Sequence, residues 1–391
     1  MNAPFNSVSP ALAGYRGLRI LHIVRQYRPN RGGLEDVVAN LCHEQLNAGA
    51  DVRVLTLDRL FSRPGLELAR QEVIDGVSVI RIPCRGSTRY PLAPSVLAHL
   101  GNVDLIHVHA IDFFFDALAW SRLFHRKPLV ATTHGGFFHT KDFSRLKTLW
   151  FNGPTRLSSR FYDAIVGCSP NDSAVFERVA PGRVRTIENG VDLAKFAGAS
   201  NVTPVKRLVT LGRFSKNKRP EWLIATMAAL TAVDPDWRLD MIGVESDWSA
   251  EALRSEILAK GLSENIALHI GLDNAAAAAV MRQASLFVSA SEFEGFGVAL
   301  IEAMSAGLIP VVQPNEAFKG LADRHEVIRL ADFADPADAA RIIQATFTDL
   351  AARGDIARPS LGELSAYAWP HVASQYLAVY RAAIGVKNGG G

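Results

Sequence analysis

Cysteine is scarce in this chain. Its three residues, Cys42, Cys84 and Cys168, lie far apart with no C-x-x-C spacing, which argues against a disulfide framework and a cysteine-based zinc site. Such usage suits a reducing cytoplasm. Long apolar runs are also missing, since nothing reaches the roughly 18 apolar residues that a spanning helix needs. The opening MNAPFNSVSPALAGYRG has no basic segment followed by an apolar one, so neither export nor a transmembrane anchor is expected. No nucleic-acid motif accompanies the dispersed basic residues, so nucleic acid is not an expected partner. Asp58, after DVRVLTL, mimics the acidic residue of a dinucleotide site, but the loop RQYRPNRGG lacks G-x-G-x-x-G, which sets a dehydrogenase aside.

What remains is a chain of 391 residues with 48% hydrophobic content, enough for two cores. The net charge of +3 conceals an asymmetry. Residues 1–199 hold 24 Lys and Arg against 17 Asp and Glu, whereas residues 200–391 hold 18 against 22. A basic first half suits an anionic membrane face or a phosphorylated substrate.

The first half alternates short apolar runs with amphipathic ones. LRILHIV (18–24), a helical pattern from Leu34 to Ala48, DVRVLTL (51–57), VSVIRI (77–82), DLIHVH (104–109), PLVATTH (128–134) and AIVGCS (164–169) follow the rhythm of a parallel sheet crossed by helices. The small, polar stretch AGASNVTP (197–204) reads as a linker. The rhythm restarts with RLVTLG (207–212), a helix from Pro220 to Ala232, RLDMIG (238–243), a helix from Ala250 to Lys260, ALHIG (267–271), an alanine-rich helix, SLFVSAS (285–291) and IPVVQ (309–313). The expected fold class is α/β: two Rossmann-like doubly wound domains, 1–197 and 205–365, facing across a cleft with ligands at the carboxyl ends of the strands. A last amphipathic helix, WPHVASQYLAVYRAAI, has no place in the second sheet, so residues 366–385 are expected to cross back to the first domain.

In SASEFEGFGVALIEAMSAG (289–307), seven residues separate Glu294 from Glu302, and Gly295 and Gly297 lie between them. The pattern predicts a strand ending near Ser291 and a helix from Val298 to Ser305. Amides at a helix N-terminus attract anions, so carboxylates there would repel a phosphate unless each binds another polar group. After RLVTLG, the loop RFSKNK places Arg213 and Lys218 at a strand's carboxyl end; alone, they read as a solvated basic turn. Beside EFEGFG in the same domain, they add cations to N–H donors and a helix dipole, which suits a diphosphate. The carboxylates then call for hydroxyls. A sugar on one side of the diphosphate and a ribose on the other supply them, which describes a nucleotide-sugar donor.

Glu294-x7-Glu302, the Gly212-Arg213 and Lys218 loop, Asn189-Gly190-Val191-Asp192 and Gly32-Gly33 together resemble the retaining glycosyltransferases of the GT-B fold, family four. More narrowly, RQYRPNRGGLEDVV, YPLAPSVL, HAIDFFFDALA, THGGFFHT and ENGVD look like the GDP-mannose-using α-mannosyltransferases that act on a cellobiosyl-diphosphate-polyprenol in exopolysaccharide assembly. The resemblance implies that Glu294 holds a hydroxyl of the transferred sugar and Glu302 the ribose hydroxyls. Arg213 and Lys218 would neutralise the leaving diphosphate, and amides around Gly295, Phe296, Gly297 and Val298 would bind its oxygens. Gly33, beside Gly32, would let the first loop approach the phosphate, although a plain tight turn accounts for these glycines equally well. No metal or further cofactor is implied beside GDP-mannose. The implied acceptor is a polyprenyl-linked oligosaccharide, met by a peripheral protein on the inner face of the cytoplasmic membrane. A UDP-sugar transferase with another acceptor, an epimerase and a non-catalytic sugar-nucleotide binder are the rivals.

His134 ends PLVATTH and precedes Gly135 and Gly136, and in the resembling family this position lies near the donor sugar; a structural strand-end histidine is the plainer reading. His107 reads as structural. On the acceptor side stand His109 and Asp112, the latter either orienting a hydroxyl or capping a helix in solvent. RLKTLWFNGPTRLSSRFY (145–162) mixes basic and apolar residues and suits either a membrane surface or an ordinary core-facing helix pair. Asp234-Pro235-Asp236 matches a metal-binding D-x-D but precedes RLDMIG, at the amino end of a strand, and reads as a turn.

Overall fold

The structure, a computed structural model, describes residues 10–30, 32–63, 65–134, 148–201, 203–354 and 358–388. Gly135, Gly136 and residues 145–147 of the basic, apolar stretch therefore lie outside the described residues. The chain divides into two compact units, Met1–Gly190 with Trp369–Gly391, and Val191–Ala368.

The first unit is built on strands β1 (Arg19–Ile23), β2 (Asp51–Leu57), β3 (Gln71–Ile74), β4 (Val77–Ile82), the small hairpin β5 (Arg85–Gly86) and β6 (Pro91–Leu92), then β7 (Leu105–His109), β8 (Leu129–Thr132), β9 (Ala164–Gly167) and β10 (Val184–Thr186). The main sheet has the order β10-β9-β8-β7-β1-β2-β4-β3. Its strands pair in parallel except β3 with β4, an antiparallel edge that the parallel rhythm did not include. The cause is local: Asp75 and Gly76 both hold positive φ, 50° and 82°, the geometry of a tight Asp-Gly hairpin turn.

Alternation along the strands separates two apolar layers. Leu21, Ile23, Leu55 and Ile106 face one layer with Phe114 and Phe115, whereas Ile20, Val52, Val54 and Leu105 face the other. Helix Gly33–Asn47 and the last helix, Trp369–Asn388, cover that second face, where Val372, Tyr376 and Tyr380 join the core. Gly190 is what lets the chain end there. A Cβ on it would lie 2.4 Å from the Trp369 ring.

The second unit carries β11 (Arg207–Phe214), β12 (Arg238–Glu245), β13 (Ile266–Ile270), β14 (Leu286–Ser289), β15 (Ile309–Val312) and β16 (Arg329–Leu330), ordered β13-β12-β11-β14-β15-β16. Every one of these pairings is parallel. The stretch 197–204 does not behave as a linker in its described part. Ala199 is buried, Asn201 N donates to Ala284 O (3.0 Å), and Arg358 donates to Ser200 Oγ (2.7 Å), so it packs on the second unit and the seam falls at Gly190–Val191. In both main sheets the strand order reverses beside the first strand, between β1 and β7 and between β11 and β14. Those switch points are where doubly wound folds bind ligands.

Candidate active site

In the second unit, β11 ends at Arg213 and Phe214, and a short turn at Lys216–Lys218 leads into the helix Pro220–Val233. Beside it, β14 runs out into Glu292–Gly297 and then the helix Val298–Ser305. The two loops are tied together. Glu292 N donates to Asn217 O (2.9 Å), Asn217 Nδ2 donates to Phe293 O (3.2 Å), and Arg219 pairs with Glu292 (2.9 Å). Lys218 Nζ forms an ion pair with Glu294 Oε1 across the same seam. Arg213 and Lys218 line one shallow cavity with Thr210, Gly212, Ser289 and Ser291. Arg213 is exposed, and no described residue pairs with its guanidinium.

Gly297 caps the Val298 helix in the left-handed region (φ 101°), and a Cβ there would lie 3.0 Å from Phe318, so glycine is required. No side chain caps the helix, which leaves its first amides and dipole available to an anion. Gly295 opens onto empty space. The Phe296 ring does not join the site. It is buried against Tyr367, 5.7 Å between centroids, so only its backbone remains for a ligand. Glu302, on the second turn of the helix, is 9% exposed and accepts from Lys195 Nζ at 2.8 Å. Sequence reasoning missed Lys195, which lies in VDLAKF directly after the quoted ENGVD.

In the first unit, alternation places His22 on β1 and His107 and His109 on β7 on the face that the last helix covers. Register makes His22 and His107 neighbours. Buried polar groups need partners, and each ring has two: His22 Nδ1 meets His109 Nε2 (2.9 Å), His22 Nε2 meets Gln45 Oε1 (2.7 Å), His107 meets Tyr380 Oη (2.6 Å) and Thr132 Oγ1 (2.8 Å), and His109 Nδ1 meets His134 Nε2 (2.9 Å). Burial pushes His22 and His134 down to about 4 and lowers His107 and His109 well below the ordinary value, so all four are neutral near pH 7. His22, His107 and His109 have the spacing of a metal site. Their six ring nitrogens are already engaged by other side chains.

His107 is the satisfied structural residue that its place in the strand implied. His134 follows β8 half-buried and in the left-handed region (φ 56°), an unusual conformation for a non-glycine residue and one that concentrates at functional sites. Two acceptor-side expectations need correction. His109 is 1% exposed with both nitrogens occupied, so it touches His134 rather than a ligand. Asp112 is a helix cap, but a buried one: it accepts from Phe114 N (2.9 Å) and lies 3.0 Å from Arg25 Nε. Burial raises its carboxyl to about 6. Gly33 opens the helix Gly33–Asn47 with nothing near its missing side chain. Asp234 ends the helix Pro220–Val233 ahead of β12 and pairs with Lys206, in keeping with a turn.

Two family models match in succession, "Glycosyltransferase Family 4" over residues 31–195 and "Glycosyl transferases group 1" over 195–357. The chain is 41% identical over 374 residues, 95% of each protein, to the GDP-mannose:cellobiosyl-diphosphopolyprenol α-mannosyltransferase of Komagataeibacter xylinus. The chain belongs to glycosyltransferase family 4. This family-4 chain is also 41% identical to the Xanthomonas campestris protein of the same name, covering 95% of this chain and 98% of that one. A phosphatidyl-myo-inositol mannosyltransferase of Mycobacterium leprae is 28% identical over 89% of this chain and 92% of its own. Among solved structures, sucrose-phosphate synthase from Thermosynechococcus elongatus superposes with a TM-score of 0.73 at 20% identity, over 93% of this chain and 98% of that one. HepE of Anabaena, solved with UDP and glucose, gives 0.68 at 19%, over 92% and 98%. These likenesses establish the GT-B fold for the family-4 chain.

Proposed function

We propose that this family-4 glycosyltransferase transfers mannose from GDP-mannose to a cellobiosyl-diphosphopolyprenol with retention of the α configuration. The observation that carries the reading is the 41% identity, over 95% of the chain, to enzymes of that name. The tied loops at β11 and β14 support it. Arg213 and Lys218 take up the charge of the leaving diphosphate, and the amides of Gly295–Val298 bind its oxygens. Glu294 accepts from a mannose hydroxyl and Glu302 from the ribose, each such charge-assisted bond contributing about 1.5–3 kcal/mol. Gly33 keeps the start of its helix open to the donor phosphate, and His134 meets a hydroxyl of the transferred sugar. No carboxylate in the sequence is assigned as a covalent nucleophile. The bond from the anomeric carbon to the diphosphate oxygen breaks, the acceptor oxygen bonds to the same face, and its proton passes to the departing phosphate oxygen. The cations in this account do the charge work that a divalent metal would otherwise do.

The acceptor's lipid tail sets the reaction at a membrane, on the cytoplasmic side where a nucleotide-sugar is available. No helix among the described residues is long and apolar enough to cross a membrane. Leu149, Trp150 and Leu157 are nevertheless exposed, beside Arg156 and Arg160, which supports peripheral attachment. The decisive test supplies GDP-mannose or UDP-glucose with a synthetic cellobiosyl-diphospholipid. Mannosyl product with release of GDP is expected. Transfer from UDP-glucose alone, or tight donor binding without product, refutes the proposal. Replacing Arg156 and Arg160 by Ala should weaken sedimentation with anionic vesicles, each basic residue contributing about 1 kcal/mol; unchanged sedimentation removes this stretch as the attachment surface.

A further inference from the structure

The histidine rings of the first unit form a directed chain. Its direction is decided at Gln45. Gln45 Nε2 donates to Tyr380 Oη at 3.2 Å, which turns the NH2 side of the amide toward the last helix. With the amide so oriented, its carbonyl Oε1 faces His22 Nε2 at 2.7 Å and accepts a hydrogen from it.

The remaining assignments follow because each neutral imidazole carries one hydrogen and one lone pair. His22 Nδ1 is bare and accepts from His109 Nε2. His109 Nδ1 is then bare and accepts from His134 Nε2, at 2.9 Å in both links. Tyr380, relieved of donating to Gln45, donates to His107 Nδ1 at 2.6 Å, and His107 Nε2 donates to Thr132 Oγ1 at 2.8 Å. The opposite amide orientation would turn every link around.

We propose that Gln45, His22 and His109 are positioning residues whose chain holds the His134 hydrogen on Nε2 and leaves its Nδ1 lone pair as an acceptor for a substrate hydroxyl. Nδ1 has no partner among the described residues. The proposal rests on His134 meeting substrate in the transfer reaction, and it adds the polarity of that contact: a hydroxyl donates to His134 and a carbonyl or phosphate oxygen does not. Gln45 touches no ligand in this scheme. It acts on the site from three hydrogen bonds away.

The test is long-range 15N–1H correlation on the histidine-labelled full chain near pH 7.5, with His134→Gln identifying the His134 signals. His134, His109, His22 and His107 are all expected as Nε2–H tautomers; a hydrogen on His134 Nδ1 overturns the inference. Gln45→Met should give His134 a mixture of tautomers and lower kcat about ten-fold, the scale on which loss of an orienting partner acts, with the KM for GDP-mannose unchanged. An unaltered His134 tautomer in that variant also overturns it. Should Gln45→Met fail to fold, the wild-type spectrum alone decides. Four Nε2–H rings together with wild-type transfer by His134→Gln would uphold the chain and refute only the role of His134 in transfer.

Discussion

The carboxyl edges of the two sheets solve the same topological problem with opposite electrostatics. At the switch point of the second unit, charges meet in pairs near the surface, Lys218 with Glu294 and Lys195 with Glu302. At that of the first, three neutral imidazoles, His22, His109 and His134, hydrogen-bond in sequence, and a fourth, His107, is held by Tyr380 of the last helix. The difference teaches what each edge is prepared to meet. Ion pairs can exchange partners with an incoming diphosphate and its flanking hydroxyls at little desolvation cost, whereas a buried charge without a partner is expensive, so the enclosed edge offers hydrogen-bond direction instead.

Removing a charge from the second edge should give the largest effect. Lys218→Ala and Glu294→Ala are each expected to lower kcat by about 10²–10³, the scale of a lost transition-state contact. Their melting temperatures should stay near that of the parent, because the pair is partly exposed. Transfer within about two-fold of the parent would take the pair out of the reaction.

Acid should separate the edges next. His22 is held at about 4, below its unfolded value, so its stabilising contribution is complete above pH 6.5 and is lost as pH falls toward 4. This one group should cost about 2 kcal/mol between pH 6.5 and pH 5. Hydrogen exchange at pH 5 should therefore show the β1 and β7 amides losing protection before those of β11 and β14; the reverse order would contradict the contrast drawn here.

Lys195→Ala sharpens the comparison at a finer scale. It should raise the donor KM about ten-fold with kcat little changed, as expected for a group that orders a ground-state contact through Glu302. Smallest of all, Asp234→Asn should leave transfer within about two-fold of the parent, because this residue stands at the amino end of β12.

Much of the fold was legible because apolar period and turn chemistry agree. The helix Val298–Ser305 lies where Gly297 and Gly307 bracket it, and the strands overlap the runs that mark them, β11 and β12 each running two residues past theirs. The edge strand β3 was not legible, since QEVI has little apolar content to bury, although IDGV carried its turn signal. Residues 197–204 look like a linker by composition, but Arg358, distant in sequence, grips them. The meeting of Arg213, Lys218 and Glu294 was legible because the end of β11 and the loops after β11 and β14 come out at one switch point. Lys195 and the roles of His22 and Gln45 were not, for their meaning comes from strand order and from a helix that arrives over three hundred residues after Tyr15.

That late arrival has a consequence for biogenesis. Tyr376 and Tyr380 complete both the apolar layer and the hydrogen bonds of residues made near the start of synthesis. Until translation reaches the last helix, a nascent chain holds an uncovered sheet face in which the His107 imidazole lacks its Tyr380 partner. A product truncated before Trp369 would keep that defect permanently, marking it for chaperones and proteases.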